Sequence, residues 1–206
     1  MSWKTFFQNP KTRTEFVLTI IVLIPLLLTF SQFLLFIEER KGIILKDPVL
    51  ALFNPIDLTW LIFGLIYFSL ILFIFISIKD PNKIMIAFQA YGLMVVFRII
   101  AMYLTPFEAP EKLLLLNDPF VQLFGKGDVL TKDLFFSGHT ATLFLLFLLS
   151  DNKKYKAVFL AATILVGLAV LVQHIHYSID VFVAPFVAYA AFRIIKGFNT
   201  GKTKAF

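Results

Sequence analysis

Three short stretches of this sequence carry residues that chemistry needs and hydrocarbon does not. DLFFSGHT (133–140) sets Asp133, Ser137, Gly138 and His139 at the head of an apolar run, and HYSID (176–180) places His176 four residues ahead of Asp180. RIIAMYLT (98–105) puts Arg98 near the end of another apolar run. Ionisable residues at the border of a membrane span are costly to hold there and ask for an explanation. His176 and Asp180, at i and i+4, share a face if the segment is helical. A carboxylate so placed takes the proton of one imidazole nitrogen, fixes the tautomer and raises the nucleophilicity of the other nitrogen. A helix start at Ser137-Gly138 offers backbone N–H groups and a positive dipole end to a phosphate, and the glycine lets the anion approach closely. Arg98 adds a permanent cation that grips phosphate through two N–H groups. Together these are the parts of a phosphoryl-transfer site.

Each residue also has an ordinary explanation. A lone histidine near a helix end, such as His174, is most simply an interfacial residue. Arg98 alone would snorkel to the membrane surface as readily as turn inward. Asp57, directly before a span, reads as a helix cap. Trp60, Tyr103 and Tyr177 fit an aromatic belt. Zinc is the competing use of His139, His176 and Asp180, but no spacing of the H-E-x-x-H kind is present. A metal is therefore not expected.

The elements that must position these residues are membrane helices. Of 206 residues 59% are hydrophobic and 26 are phenylalanine, and several apolar runs reach the ~20 residues that span a bilayer core. This excludes a soluble globular domain and predicts a single all-α membrane domain over 1–206. Six spans are expected, near 16–36, 58–79, 84–104, 134–150, 156–175 and 179–196, with 1–15 and 197–206 as flanking segments. The first run is too long for a signal-peptide core and no A-x-A site follows it, so it is expected to remain as the first helix. Cysteine is absent, which removes disulfides and thiolate ligands.

Charge by position orients the bundle. One side holds Lys4, Lys11, Arg13, Lys79, Lys83, Lys153, Lys154, Lys156, Arg193, Lys196, Lys202 and Lys204. The other has only Arg40, Lys41, Lys46, Lys112, Lys126 and Lys132. Both termini are thus expected in the cytoplasm, and the basic tail is a topology signal with no nucleic-acid partner implied. The long connections 37–57 and 105–133 fall on the opposite face, where their apolar patches VLALF and LLLLNDPFVQLF suit short interfacial helices. Because spans alternate in direction, Arg98, Asp133, His139, His176 and Asp180 gather at that face.

At these residues the sequence resembles the sphingomyelin synthase family, a membrane branch of the type 2 phosphatidic acid phosphatase superfamily. DLFFSGHT matches its D-x-x-x-S-G-H-T, HYSIDV (176–181) its H-Y-[ST]-x-D-V, and RIIAMYLT its R-x6-T, all in the family's order. There are departures. Thr131-Lys132 stands where the family has cysteine-glycine, its paired upstream arginines are missing, and NPID (54–57) matches P-L-P-D only loosely. Mainstream lipid phosphatases carry K-x6-R-P and a serine-arginine ahead of the last histidine, which this chain lacks. The short, cysteine-free chain without soluble extensions is expected to come from a bacterial cytoplasmic membrane, with its site on the non-cytoplasmic face.

The resemblance implies that His176 attacks a lipid phosphodiester, that Asp180 orients it and that His139 acts as general acid, then base. Arg98, Ser137 and Gly138 would bind the phosphate, with Asp133, Tyr177 and Ser178 in support. This scheme requires no diffusible cofactor. Its partners would be a phospholipid donor and a ceramide- or diacylglycerol-like acceptor. Water as acceptor would instead make the same site a lipid phosphatase or phospholipase-C-like hydrolase. A non-catalytic lipid binder or transporter is the third possibility, but no paired repeat with broken helices favours it.

Overall fold

The computed structural model describes residues 2–116 and 130–203, with side chains to residue 199. Lys126, Lys204, the side chain of Lys202 and most of LLLLNDPFVQLF lie outside the described residues. Seven α-helices are present among those described: α1 Trp3–Gln8, α2 Pro10–Glu39, α3 Thr59–Ser77, α4 Pro81–Leu104, α5 Gly138–Leu149, α6 Lys153–Val172 and α7 Ser178–Thr203. The six expected helices are α2 to α7. Five of them are long and apolar enough to cross a membrane.

Local chemistry sets most of the boundaries. Asn9 accepts the N–H of Lys11 ahead of Pro10, and Asp80 accepts that of Lys83 ahead of Pro81. A side-chain oxygen satisfies an orphan N–H while proline, which has none to offer, fits the first position. Asn152 caps α6 and Ser137 caps α5 in the same way. At 30 residues α2 runs about 45 Å, longer than the ~30 Å core, so both of its ends pass beyond the expected 16–36.

The short helix lies at the centre. The stretch expected to span 134–150 is helical only over 12 residues, a length of about 18 Å. It survives because protein surrounds it: α5 packs against α3, α4, α6 and α7, and Thr140, Ala141, Leu143, Leu145, Leu146 and Leu149 are all buried. A helix apolar all round belongs inside a bundle. Small residues bring its neighbours close, with Ala184, Ala188 and Ala191 of α7 fully buried in one stripe. By contrast, α2 packs mainly on α4 and exposes most of its surface, including Leu18, Ile21, Val22 and Leu28, as a lipid-facing helix should.

One element was not foreseen. Residues expected only to precede the first span form α1, whose Phe6 is fully buried beside Trp3, Phe7 and Phe16. The Trp3 indole donates to the Ile78 carbonyl beyond α3, and Asn199 of α7 donates to Gln89 of α4. Trp3 and Asn199 therefore lie toward the end of the bundle remote from His176.

The opposite end is laced by connections. VLALF contributes one 3-10 turn, Leu50–Leu52, and the described part of the other patch, 113–116, is not helical. Ile43 and Phe107 form an isolated bridge, in which Ile43 donates to Pro106 and Glu108 donates to Ile43. Gly42 permits it, since a Cβ there would lie 2.7 Å from the Phe107 carbonyl carbon.

Candidate active site

Arg98 does not snorkel. It lies in the last two turns of α4, 6% exposed, and turns inward to Asp133 with Nε at 3.1 Å and Nη2 at 2.6 Å from the same carboxylate oxygen. The Phe30 and Phe136 rings flank the guanidinium at 5.9 and 5.8 Å. Burial pushes the Asp133 carboxyl up, but the Arg98 charge and hydrogen bonds outweigh it, and the group is held below its ordinary range. An anion so engaged cannot itself bind phosphate. Asp133 is thus placed to orient Arg98.

Gly138 explains why the arginine fits. A Cβ on this residue would stand 1.7 Å from Arg98 Nη1, so the missing side chain makes room for the guanidinium at the start of α5. Sequence reasoning assigned that space to an incoming anion; the cation that would hold the anion occupies it. Ser137 serves as the cap, accepting the Thr140 N–H at 3.4 Å and bonding the Thr140 hydroxyl at 3.1 Å. The Ser137 N–H donates to the Asp180 carbonyl at 3.1 Å, which ties the head of α5 to α7.

His176 and Asp180 meet as expected, for a different reason. His176 is not helical; it lies in the turn before α7, and Asp180 in the first turn reaches back to it. One Asp180 oxygen accepts the Tyr177 N–H at 3.2 Å and contacts His176 Nδ1 at 3.3 Å. The backbone contact is the reciprocal half of a capping box, so the interaction that starts α7 also aims the imidazole. Both side chains are buried, at 1% and 0% exposure. His139, in the first turn of α5, faces His176 with ring centroids 6.2 Å apart and planes at 61°, and Phe63 stands edge-on behind it. With Nδ1 directed at the carboxylate, Nε2 of His176 is the nitrogen available for chemistry.

A groove of about 270 Å³ opens beside Arg98, Asp133, Gly138 and His139. Phe30, Phe63, Leu70 and Met94 from α2, α3 and α4 line it further along, together with Tyr67, Tyr91 and Thr142. A charged end joined to a mostly apolar wall suits an amphiphile.

Tyr177 joins the turn before α7 to the connections. Its ring is buried, its hydroxyl donates to the Glu108 carbonyl at 2.9 Å and accepts the Leu45 N–H at 3.2 Å. With its one proton committed, it ties the two long connections to the turn bearing His176. Asp57 is exposed and accepts the Thr59 N–H, which completes the expected capping role one residue outside the cap position. His174, at the end of α6, is buried, adopts a left-handed φ of 56° and packs edge-on against Phe53. Burial, then the Lys112 charge, holds its pKa below the ordinary value.

Four supporting residues carried no signal in the sequence. Gln173 accepts the Leu58 N–H and donates to Thr59 and to the Leu114 carbonyl, joining α6 to the start of α3. Glu108 accepts the Gly42 N–H and pairs with Lys132. Glu38 grips Thr131 and Lys132. Asp47 accepts the Ser178 N–H at 2.6 Å and so caps α7 from 131 residues away. Although burial raises the Asp47 pKa, hydrogen bonds from Ser178, Val49 and Leu50 lower it more. A depressed folded-state pKa adds stability above the ordinary carboxylate value, lost as pH falls through the depressed one. Asp47→Ala is therefore expected to destabilise by about 1 kcal/mol at pH 7. Thermal unfolding should show the difference from wild type shrinking once the pH drops below about 4.

Residues 132–197 match the family described as PAP2 superfamily C-terminal. The matched stretch contains Asp133, His139, His176 and Asp180 but not Arg98. No curated protein matches the chain. The family match supports the type 2 phosphatidic acid phosphatase superfamily, and with it an enzyme that hydrolyses or transfers lipid phosphate groups.

Proposed function

We propose that the protein is a membrane phosphotransferase that moves a phospho-headgroup from a phospholipid to a ceramide- or diacylglycerol-like alcohol through a phosphohistidine. The observation that carries this reading is the facing pair His139 and His176, 6.2 Å between ring centroids, with Asp180 behind one of them. Two imidazoles at that separation can serve one phosphorus centre from opposite sides.

In the first half-reaction Nε2 of His176 attacks the phosphodiester. The N–P bond forms as the bond to the lipid oxygen breaks, and His139 gives that oxygen its proton. In the second, His139 takes the proton of the acceptor hydroxyl, whose oxygen attacks phosphorus and releases His176. Arg98 and the first turn of α5 stabilise the charge that gathers on the phosphoryl oxygens. Asp180 supports the positive charge that His176 gains on phosphorylation. The aromatic surroundings of Arg98 and His139 favour a lipid alcohol over water as acceptor. The resemblance of three ordered motifs to sphingomyelin synthases supports the same choice, and the distribution of basic residues favours a site on the non-cytoplasmic face.

The test is lipid mass spectrometry on liposomes of mixed phospholipids and ceramide containing the purified protein, with His176→Ala as control. A headgroup on ceramide, formed only by the wild type, is the expected result and identifies the donor. Diacylglycerol and free phospho-headgroup without modified ceramide would make the enzyme a hydrolase.

A further inference from the structure

The Arg98–Asp133 pair does not hold itself in place. Asp133 belongs to a non-helical segment between α4 and α5, and something must set the direction of that segment before its carboxylate can aim the guanidinium. Glu38, in the last turn of α2, contacts the two preceding residues. Its Oε2 accepts the backbone N–H of Thr131 at 2.9 Å and of Lys132 at 3.0 Å, and its Oε1 accepts the Thr131 hydroxyl. Two successive N–H groups converging on one oxygen fix both peptide planes. On the far side, Lys132 Nζ donates to the Arg40 carbonyl at 2.8 Å and pairs with Glu108 at 3.0 Å. The chain thus reaches Asp133 already oriented, and Asp133 meets Arg98 against Gly138.

We propose that Glu38 is a positioning residue for the Arg98 cation, acting through Thr131, Lys132 and Asp133. The inference rests on the phosphoryl-transfer reading, in which Arg98 is a phosphate ligand. It also gives a purpose to the departure at 131–132, because the threonine hydroxyl that Glu38 accepts is available only with that replacement of the family's cysteine. A side-chain acceptor is required: alanine at position 38 leaves both N–H groups without one, whereas glutamine can keep its oxygen on them and give an N–H to the Thr131 hydroxyl oxygen. The effect should fall on phosphate binding, since a small displacement of a charged ligand is enough to weaken it.

The experiment uses orthovanadate, a phosphoryl transition-state mimic, titrated against detergent-solubilised full-length wild type, Glu38→Ala, Arg98→Ala and the double variant, with thermal unfolding of each. Thr131→Val, which removes only the hydroxyl donor, is a second variant should Glu38→Ala fail to fold. The wild type should bind vanadate. Glu38→Ala should weaken binding roughly tenfold with little change in unfolding temperature, and less than twofold when Arg98 is already alanine. Equal weakening in both backgrounds, or none in the single variant, would overturn the positioning role while leaving the site reading intact. Absence of vanadate binding in the wild type would instead overturn the phosphate site and this inference with it.

Discussion

His176→Ala is expected to remove phospho-headgroup turnover by about four orders of magnitude or more, because in the proposed reaction this imidazole forms the covalent intermediate. The protein should still fold, since the imidazole is not what starts α7: that falls to the Asp180 carboxylate on the Tyr177 N–H and to Asp47 on the Ser178 N–H. Asp180→Asn should be milder, as the amide oxygen can keep the backbone contact while the negative charge is lost. That charge is expensive. Asp180 is fully buried, and its second oxygen has no hydrogen-bond partner among the described residues. An under-paired buried carboxylate is a poor device for stability, but it is well suited to a neighbouring imidazole that becomes cationic on bonding phosphorus. Turnover in liposomes, with thermal unfolding as the folding control, separates the two variants.

Gly138→Ala is expected to reduce turnover by about 10²-fold and to weaken vanadate binding by a similar factor without abolishing it, with the bundle intact. One methyl group is a small addition, yet it claims the space of Arg98 Nη1 and lies 2.6 Å from the guanidinium carbon. The nearest atoms belong to the end of a long side chain, so the arginine moves and the backbone does not. Asp133 then loses its partner and α5 loses the cation beside its first turn. Arg98→Ala should match it in effect, and combining the two should cost little more than either alone. Binding and turnover of the three variants check this.

Much of this arrangement was legible from residue types. Ser137 marks a helix start by its type, and the apolar runs leave little choice but helix, although the starts at Asn9-Pro10, Asp80-Pro81 and Asn152 precede the expected ones by three to six residues. The alternation of spans then brings His139 and His176 to one end without any knowledge of packing. What could not be read has a common cause. Glu38, Asp47 and Glu108 act on backbone N–H groups of distant segments. Any residue except proline supplies such a group, so the partner leaves no trace in the sequence. The i, i+4 spacing of His176 and Asp180 led to the right contact through the wrong geometry, because a capping residue reaching back covers the same interval. The central helix was read too long since burial by protein, unlike burial by lipid, sets no minimum length. WKTFFQ was missed because a six-residue helix held by an aromatic cluster has no periodicity to detect.

The central claim is a covalent phospho-headgroup on His176. It is tested most directly by rapidly quenching wild-type protein turning over in donor liposomes and mapping acid-labile phosphoramidate adducts by mass spectrometry. The expected result is an adduct on the peptide containing His176, carrying the donor headgroup, absent from His176→Ala and discharged when acceptor alcohol is added. Full turnover with no adduct at His176 would contradict it.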